Sequence, residues 1–170
     1  EVYDPQTDAW QPLAKMTTAR AGLGLAAVGG KIYAIVGMRA GKTLESVEVY
    51  DPQLGAWALV ASMGGMRRYH ASVVLNGKIY AMGGIGNGDV TLDTVEVYDP
   101  QVNSWQRVAS MLQGRHCHAA SAIGGKIYAT GGCQAGVDMA CVYDPQADTW
   151  TQLASMSIAR NNHTSAAVRG

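Results

Sequence analysis

The chain has 170 residues, enough for one domain with a substantial core. Its 13 basic and 13 acidic residues leave a net charge of +0, so it offers no electrostatic footprint for nucleic acid or for an anionic membrane surface. No apolar run approaches the roughly 20 residues of a membrane helix, and no signal-peptide pattern opens the sequence.

With no Phe and 21 Gly, the core must come from Val, Ile, Leu, Met, Ala, Tyr and Trp, a palette suited to many short strands joined by tight turns. Cys117, Cys133 and Cys141 are an odd, sparse set without CxxC spacing. They read as thiols in a reducing compartment, which makes a cytoplasmic location the expectation.

From the first residue, Glu1-Val2-Tyr3 reads as a strand, Asp4-Pro5-Gln6 as a turn, and the run to Trp10 as the returning strand. "YDPQ" then recurs from Tyr50, Tyr98 and Tyr143, at spacings of 47, 48 and 45. A tryptophan follows each tyrosine by seven residues (Trp10, Trp57, Trp105, Trp150), a methionine follows that by six (Met16, Met63, Met111, Met156), and an arginine by four more (Arg20, Arg67, Arg115, Arg160). Thirteen residues past the first three arginines lie Tyr33, Tyr80 and Tyr128, in "KIYA" runs. A fixed period of this length marks a repeat architecture.

Each unit reads as four strands. In the middle unit the first is "HASVVL" and the second "KIYAMGG", joined by an Asn-Gly pair that suits a type I′ hairpin. The third is "TVEVYD", with period-2 alternation, and Asp-Pro-Gln turns the chain into a fourth strand led by the tryptophan. The units are 17–63, 64–111 and 112–156, with third and fourth strands of an incomplete unit in 1–16 and a first strand in 157–170. Four antiparallel strands per unit describe a propeller blade, and the fold class is all-β.

The double glycines (Gly83-Gly84, Gly131-Gly132), the Tyr-to-Trp step and the arginine after the methionine resemble the Kelch repeat, over essentially the whole chain. Val36 departs from the pattern, standing where the first glycine of a pair is expected. The resemblance implies a β-propeller, here a partial ring of about three and a half blades, with the remaining blades of a larger ring or other copies of the chain as its partners. The isolated chain is accordingly expected to expose two sheet edges and to associate.

Positions that recur among the units serve the blade, and positions that differ are free to serve a ligand. Every change in length falls between second and third strands, in "MRAGKTLES", "IGNGDVTLDT" and "CQAGVDMAC". In a four-stranded meander this loop opens on the same face as the link into each first strand, where "RAGL", "RRYH", "RHCH" and "RNNH" also differ. Variable loops on an invariant scaffold are where binding concentrates.

Family resemblance implies contacts at the residues after each repeat arginine (Ala21, Gly22, Arg68, Tyr69, His116, Cys117, Asn161, Asn162). It also implies contacts after each glycine pair and in the following loop (Met38, Arg39, Lys42, Ile85, Asn87, Asp89, Cys133, Gln134). Arg39, Lys42, Arg68 and the repeat arginines face few loop acids, Asp89 and Asp138. This predicts a face that prefers an acidic peptide or protein loop.

Three chemical signals weigh less. His116 and His118 share one face of a strand and form a possible zinc or copper chelate, but His70 and His163 recur at the place of His118, which makes that histidine scaffold. Neither a metal nor another cofactor is expected. "GGIGNG" at 83–88 follows a strand but leads to another strand, with no helix N-terminus for a pyrophosphate. No serine sits in a GxSxG elbow. Galactose oxidases and sialic-acid epimerases also use Kelch propellers, but the carboxylates here fall mainly in the Asp-Pro turns, so no enzyme is expected. The blades look most like those of BTB-Kelch proteins, which implies a non-catalytic protein-interaction propeller that selects substrates for a cullin-RING ubiquitin ligase. An actin-binding or other scaffold role is the alternative.

Overall fold

The computed structural model describes residues 1–133 and 138–168. A two-stranded sheet of β1 (Val2–Asp4) and β2 (Ala9–Gln11) precedes three four-stranded blades. The first blade is β3 (Gly24–Val28), β4 (Lys31–Ile35), β7 (Val47–Asp51) and β8 (Ala56–Val60), and a small hairpin of β5 (Met38–Arg39) and β6 (Lys42–Thr43) fills its variable loop. The second is β9 (Ala71–Leu75), β10 (Lys78–Met82), β11 (Val95–Asp99) and β12 (Ser104–Val108). The third is β13 (Ala119–Ile123), β14 (Lys126–Thr130), β15 (Ala140–Asp144) and β16 (Thr149–Gln152). All pairings are antiparallel between neighbours in sequence within a blade, which makes each blade a meander. The architecture is a partial β-propeller.

Local chemistry accounts for the turns. Both central residues of each β-hairpin between first and second strands have positive φ (Gly29 and Gly30, Asn76 and Gly77, Gly124 and Gly125), as a type I′ turn demands. In the Asp-Pro turns, Asp51, Asp99 and Asp144 each accept an N–H two residues on through Oδ1 and pair through Oδ2 with Lys31, Lys78 and Lys126 at the start of the second strand.

The core lies between blades. One cluster joins Tyr33, Ile35 and Val47 of the first blade to Ile79, Ala81 and Tyr98 of the second. The other joins Tyr80 and Met82 to Ile127, Cys141 and Tyr143 of the third. First strands β3, β9 and β13 pack in order, on the side of the axis. Each blade's tryptophan reaches back across the boundary, Trp57, Trp105 and Trp150 donating to the carbonyls of Ala14, Ala61 and Ala109. Trp10, in the two-stranded sheet, is 68% exposed, against 8% for Trp150.

The structure adds to the sequence reading in one element and differs from it in another. The third strands are buried on both faces, with the pattern BBBBi in β7, because blades cover an inner strand from either side. The first strand expected in 157–170 is not formed over the described residues 157–168, which pair with no second strand.

Candidate functional site

The two variable elements meet through backbone pairing. Ala21 bridges Met38, Arg68 bridges Ile85, and His116 bridges Cys133, so in every blade the residue after the arginine lies against the residue after the glycine pair. The next residues form a collar about the axis. The Tyr69 N–H donates to Gly22 O, the Cys117 N–H to Tyr69 O, and the Asn162 N–H to Cys117 O, each at 2.9 Å. All four have positive φ, between 50 and 58°. What sets Gly22 apart is space, because an added Cβ would stand 2.9 Å from the Tyr69 ring.

A second set of amides locks the collar to the blades. Gly37, Gly84 and Gly132 donate to the carbonyls of Arg67, Arg115 and Arg160. A Cβ at Gly83 would lie 2.4 Å from Arg115 O. Close approach and positive φ favour the glycine pair, although in the first blade Val36 takes its first position with positive φ (44°) and a fully buried side chain.

On this frame the predicted contact residues divide. Arg39 and Lys42 are exposed on the β5–β6 hairpin, directly paired across it. Tyr69 is 41% exposed, with the Arg68 guanidinium 5.9 Å from its ring centre. Asn87, Asp89, Asn161 and Asn162 are exposed, and Met38, Ile85, His116, Cys117 and Cys133 are half-buried. Gln134 lies outside the described residues. An open cleft of about 380 Å³ is walled by Lys42 and Thr43 of the first blade, Arg68 of the link, and Asn87 and Asp89 of the second blade. Tyr69, Cys117 and Asn162 instead line the mouth of the axis, above His70, His118 and His163.

The charge reading of this face needs correction. Three of the repeat arginines, Arg20, Arg67 and Arg115, do not project from it, whereas Arg160 in the last link is exposed. The Arg20 and Glu48 side chains are fully buried and paired at 2.8 Å, and Arg67 and Glu96 are paired at 2.7 Å. Burial acts to raise the Glu48 pKa, but hydrogen bonds from Thr17 and Arg20 outweigh it and hold the carboxyl below its ordinary value. Arg115 has Cys141 where the others have glutamate, and its guanidinium donates to the carbonyls of Gly131 and Met139. Arg68 pairs with Asp89 at 2.5 Å and donates to Thr43. Exposed positive charge on this face is therefore carried by Arg39, Lys42 and Arg160, none held in an ion pair among the described residues.

The histidines are also rearranged. Positive φ at Cys117 breaks the strand alternation, so His118 is buried while His116 stays half-exposed beside Thr91. His116 and His118 do not form a chelating face. Burial pushes His70 and His118 down to about 3, with the charges of Arg67 and Arg115 acting in the same direction, and neither ring has a hydrogen-bond partner among the described residues. Burial, then the Arg68 guanidinium, also lowers His116. What faces His116 is a pair of thiols, Cys117 and Cys133, all three ligand atoms lying within 4.8 Å of one another. Sequence spacing does carry that signal, since the bridge joins equivalent positions in every blade. All three cysteines are free thiols.

The Kelch motif matches residues 19–64, 66–112 and 114–157. No curated protein matches the sequence. Among 166 matching solved chains is that of YjhT, at 18% identity and a TM-score of 0.79, over 88% of this chain and 56% of that one. The chain thus spans little more than half of YjhT, and the likeness shows the fold. It also corrects the expectation that the chain is no enzyme. That exclusion rested on the carboxylates falling mainly in the Asp-Pro turns, whereas the fold is also that of YjhT, and a propeller scaffold by itself hosts catalysts and binding modules alike. No helix among the described residues is long and apolar enough to cross a membrane.

Proposed function

Since the chain belongs to the Kelch family, carrying three of its motifs, we propose that it binds a protein or peptide through the face built by the post-arginine links and the loops after the glycine pairs. One observation carries this reading. Side chains that differ from blade to blade stand on a collar whose backbone repeats bond for bond, Gly22, Tyr69, Cys117 and Asn162 occupying one equivalent place. A rigid frame lowers the ordering cost of binding, and Tyr69 supplies the kind of large, stiff contact area that dominates interfaces.

The preferred partner presents an acidic segment, met by Arg39 and Lys42, with Arg68 available once it exchanges Asp89 for the ligand carboxylate. The finer reading is substrate selection for a cullin-RING ligase in the cytoplasm, supported by the likeness of the blades to those of BTB-Kelch proteins.

The test begins with a photo-crosslinking residue at Lys42 in the full protein, to identify the bound partner in cells. Titration of that partner against Tyr69→Ala and against Arg39→Glu with Lys42→Glu should then show at least about a tenfold loss of affinity, with unchanged melting temperature. Unchanged affinity in both, or an equal loss from substitutions at Gln53 and Gln101 in the opposite turns, overturns the site. If no cullin accompanies the full protein, the ligase reading falls and the binding face stands.

A further inference from the structure

We propose that His116, Cys117 and Cys133 form a binding site for a soft transition-metal ion, zinc in the first instance, at the mouth of the axis in the third blade. Their ligand atoms lie within 4.8 Å of one another, and all three residues are half-buried. A zinc ion holds thiolate sulfurs at about 2.3 Å and imidazole nitrogen at about 2.0 Å, so donors this close need small rotamer changes to surround one.

The backbone beneath the ligands is fixed before any ion arrives. The Cys133 N–H donates to His116 O at 2.8 Å, and Cys117 is held on both sides, its N–H by Tyr69 and its carbonyl by Asn162. Thr91 lies 3.4 Å from Nδ1 of His116, placed to steady the ring.

The other blades supply an internal comparison. The same three backbone positions carry Ala21, Gly22 and Met38 in the first blade and Arg68, Tyr69 and Ile85 in the second. The scaffold therefore does not require ligating side chains at these places, yet the third blade puts one at each. Two thiols and an imidazole select zinc or copper(I) over magnesium and calcium. Three protein ligands leave a fourth position for water or for a donor from a bound partner. On binding, each thiol loses its proton to solvent and the imidazole coordinates in its neutral form.

The experiment titrates the full 170-residue chain, kept reduced with a phosphine, first with Co²⁺ and then with Zn²⁺. One cobalt per chain should bind with a thiolate-to-cobalt charge-transfer band and the intense visible bands of tetrahedral geometry, and zinc should displace it. Cys117→Ser and Cys133→Ser should each abolish the charge-transfer intensity of a two-thiolate site and weaken zinc binding beyond the roughly 10–100-fold that outer-shell changes cost. His116→Ala should weaken it while sparing the thiolate band. Zinc should raise the melting temperature of the wild type and leave that of the serine variants unmoved. The melting curve of each variant without metal reports whether it is folded. A reduced wild-type chain that shows no thiolate–cobalt band overturns the proposal, as does a band of undiminished intensity in either serine variant. Copurification of a Cys117–Cys133 disulfide, with no metal taken up after reduction, assigns the pair to redox chemistry and overturns it equally.

Discussion

Asn103 Oδ1 accepts the N–H of Ala61, in the preceding blade, at 2.9 Å and the hydroxyl of Tyr98, in its own, at 2.8 Å. Asp148 does the same for Ala109 and Tyr143, and Asp8 accepts Tyr3. One short polar side chain thus fastens a blade's outer turn to its neighbour. All three have φ near 50°, which Asn and Asp tolerate.

Gly55 occupies the equivalent place between the first blade and the sheet before it, with φ of 62° and open space where a Cβ would go. Gly55→Asn should supply the missing bonds to Tyr50 and Ala14 and stabilise the chain by about 1 kcal/mol, read from the urea midpoint. Asn103→Gly should destabilise by a similar amount. A midpoint lowered by Gly55→Asn would show that the boundary is built differently there.

Glu96→Ala removes the carboxylate from a buried pair with Arg67, whose side chain is 1% exposed. Leaving that guanidinium without its carboxylate should cost about 3–5 kcal/mol. Glu96→Gln, which keeps a hydrogen-bond acceptor, should cost less. Chemical denaturation of both variants checks the order, and equal losses would mean that shape rather than charge holds the site.

His70 stays neutral in the fold, its pKa lowered from 6.5 to about 3 by burial and by the charges of Arg67 and His118. The unfolded chain takes up a proton there below about pH 6.5 and the folded chain does not, so this residue's contribution to stability is lost as pH falls from 6.5 toward 3. The slope is up to about 1.4 kcal/mol for each pH unit. His70→Leu copies the first blade, where Leu23 stands in the same place. Stability of the wild type minus that of His70→Leu, followed from pH 7 to pH 4, should fall; a flat difference would place a proton on His70 in the fold.

Gly84→Val should harm folding. Its φ is +96° and an added Cβ would meet Arg68 O at 2.6 Å and His70 Cβ at 2.9 Å. Strain and overlap together predict a loss of about 3 kcal/mol or more. Gly124→Asn is the control: φ is also positive, nothing lies within 4 Å, and Asn76 fills the same turn position in the second blade. Thermal melts of the pair should separate them clearly, and similar melts would refute the close-approach argument.

What the sequence determined by itself is local and periodic. Invariant spacings among tyrosine, tryptophan, methionine and arginine mark the blades, Asn-Gly and Gly-Gly pairs mark the hairpins because positive φ is a property of those residues, and loop lengths mark the variable face. The side chains' destinations were decided by packing between elements. A glutamate in "VEV" and an arginine in a link carry no sign of each other in the sequence, because a strand pattern does not reveal what covers its outer face. The link folds over β7 and β11, burying Arg20 with Glu48 and Arg67 with Glu96, residues 28 and 29 apart in sequence. For the same reason His116 reads as the partner of His118, two residues away, until positive φ at Cys117 turns the chain and an antiparallel bridge brings Cys133 alongside. Repetition is written along the chain, whereas a site assembled across a β-bridge exists only when the blade closes.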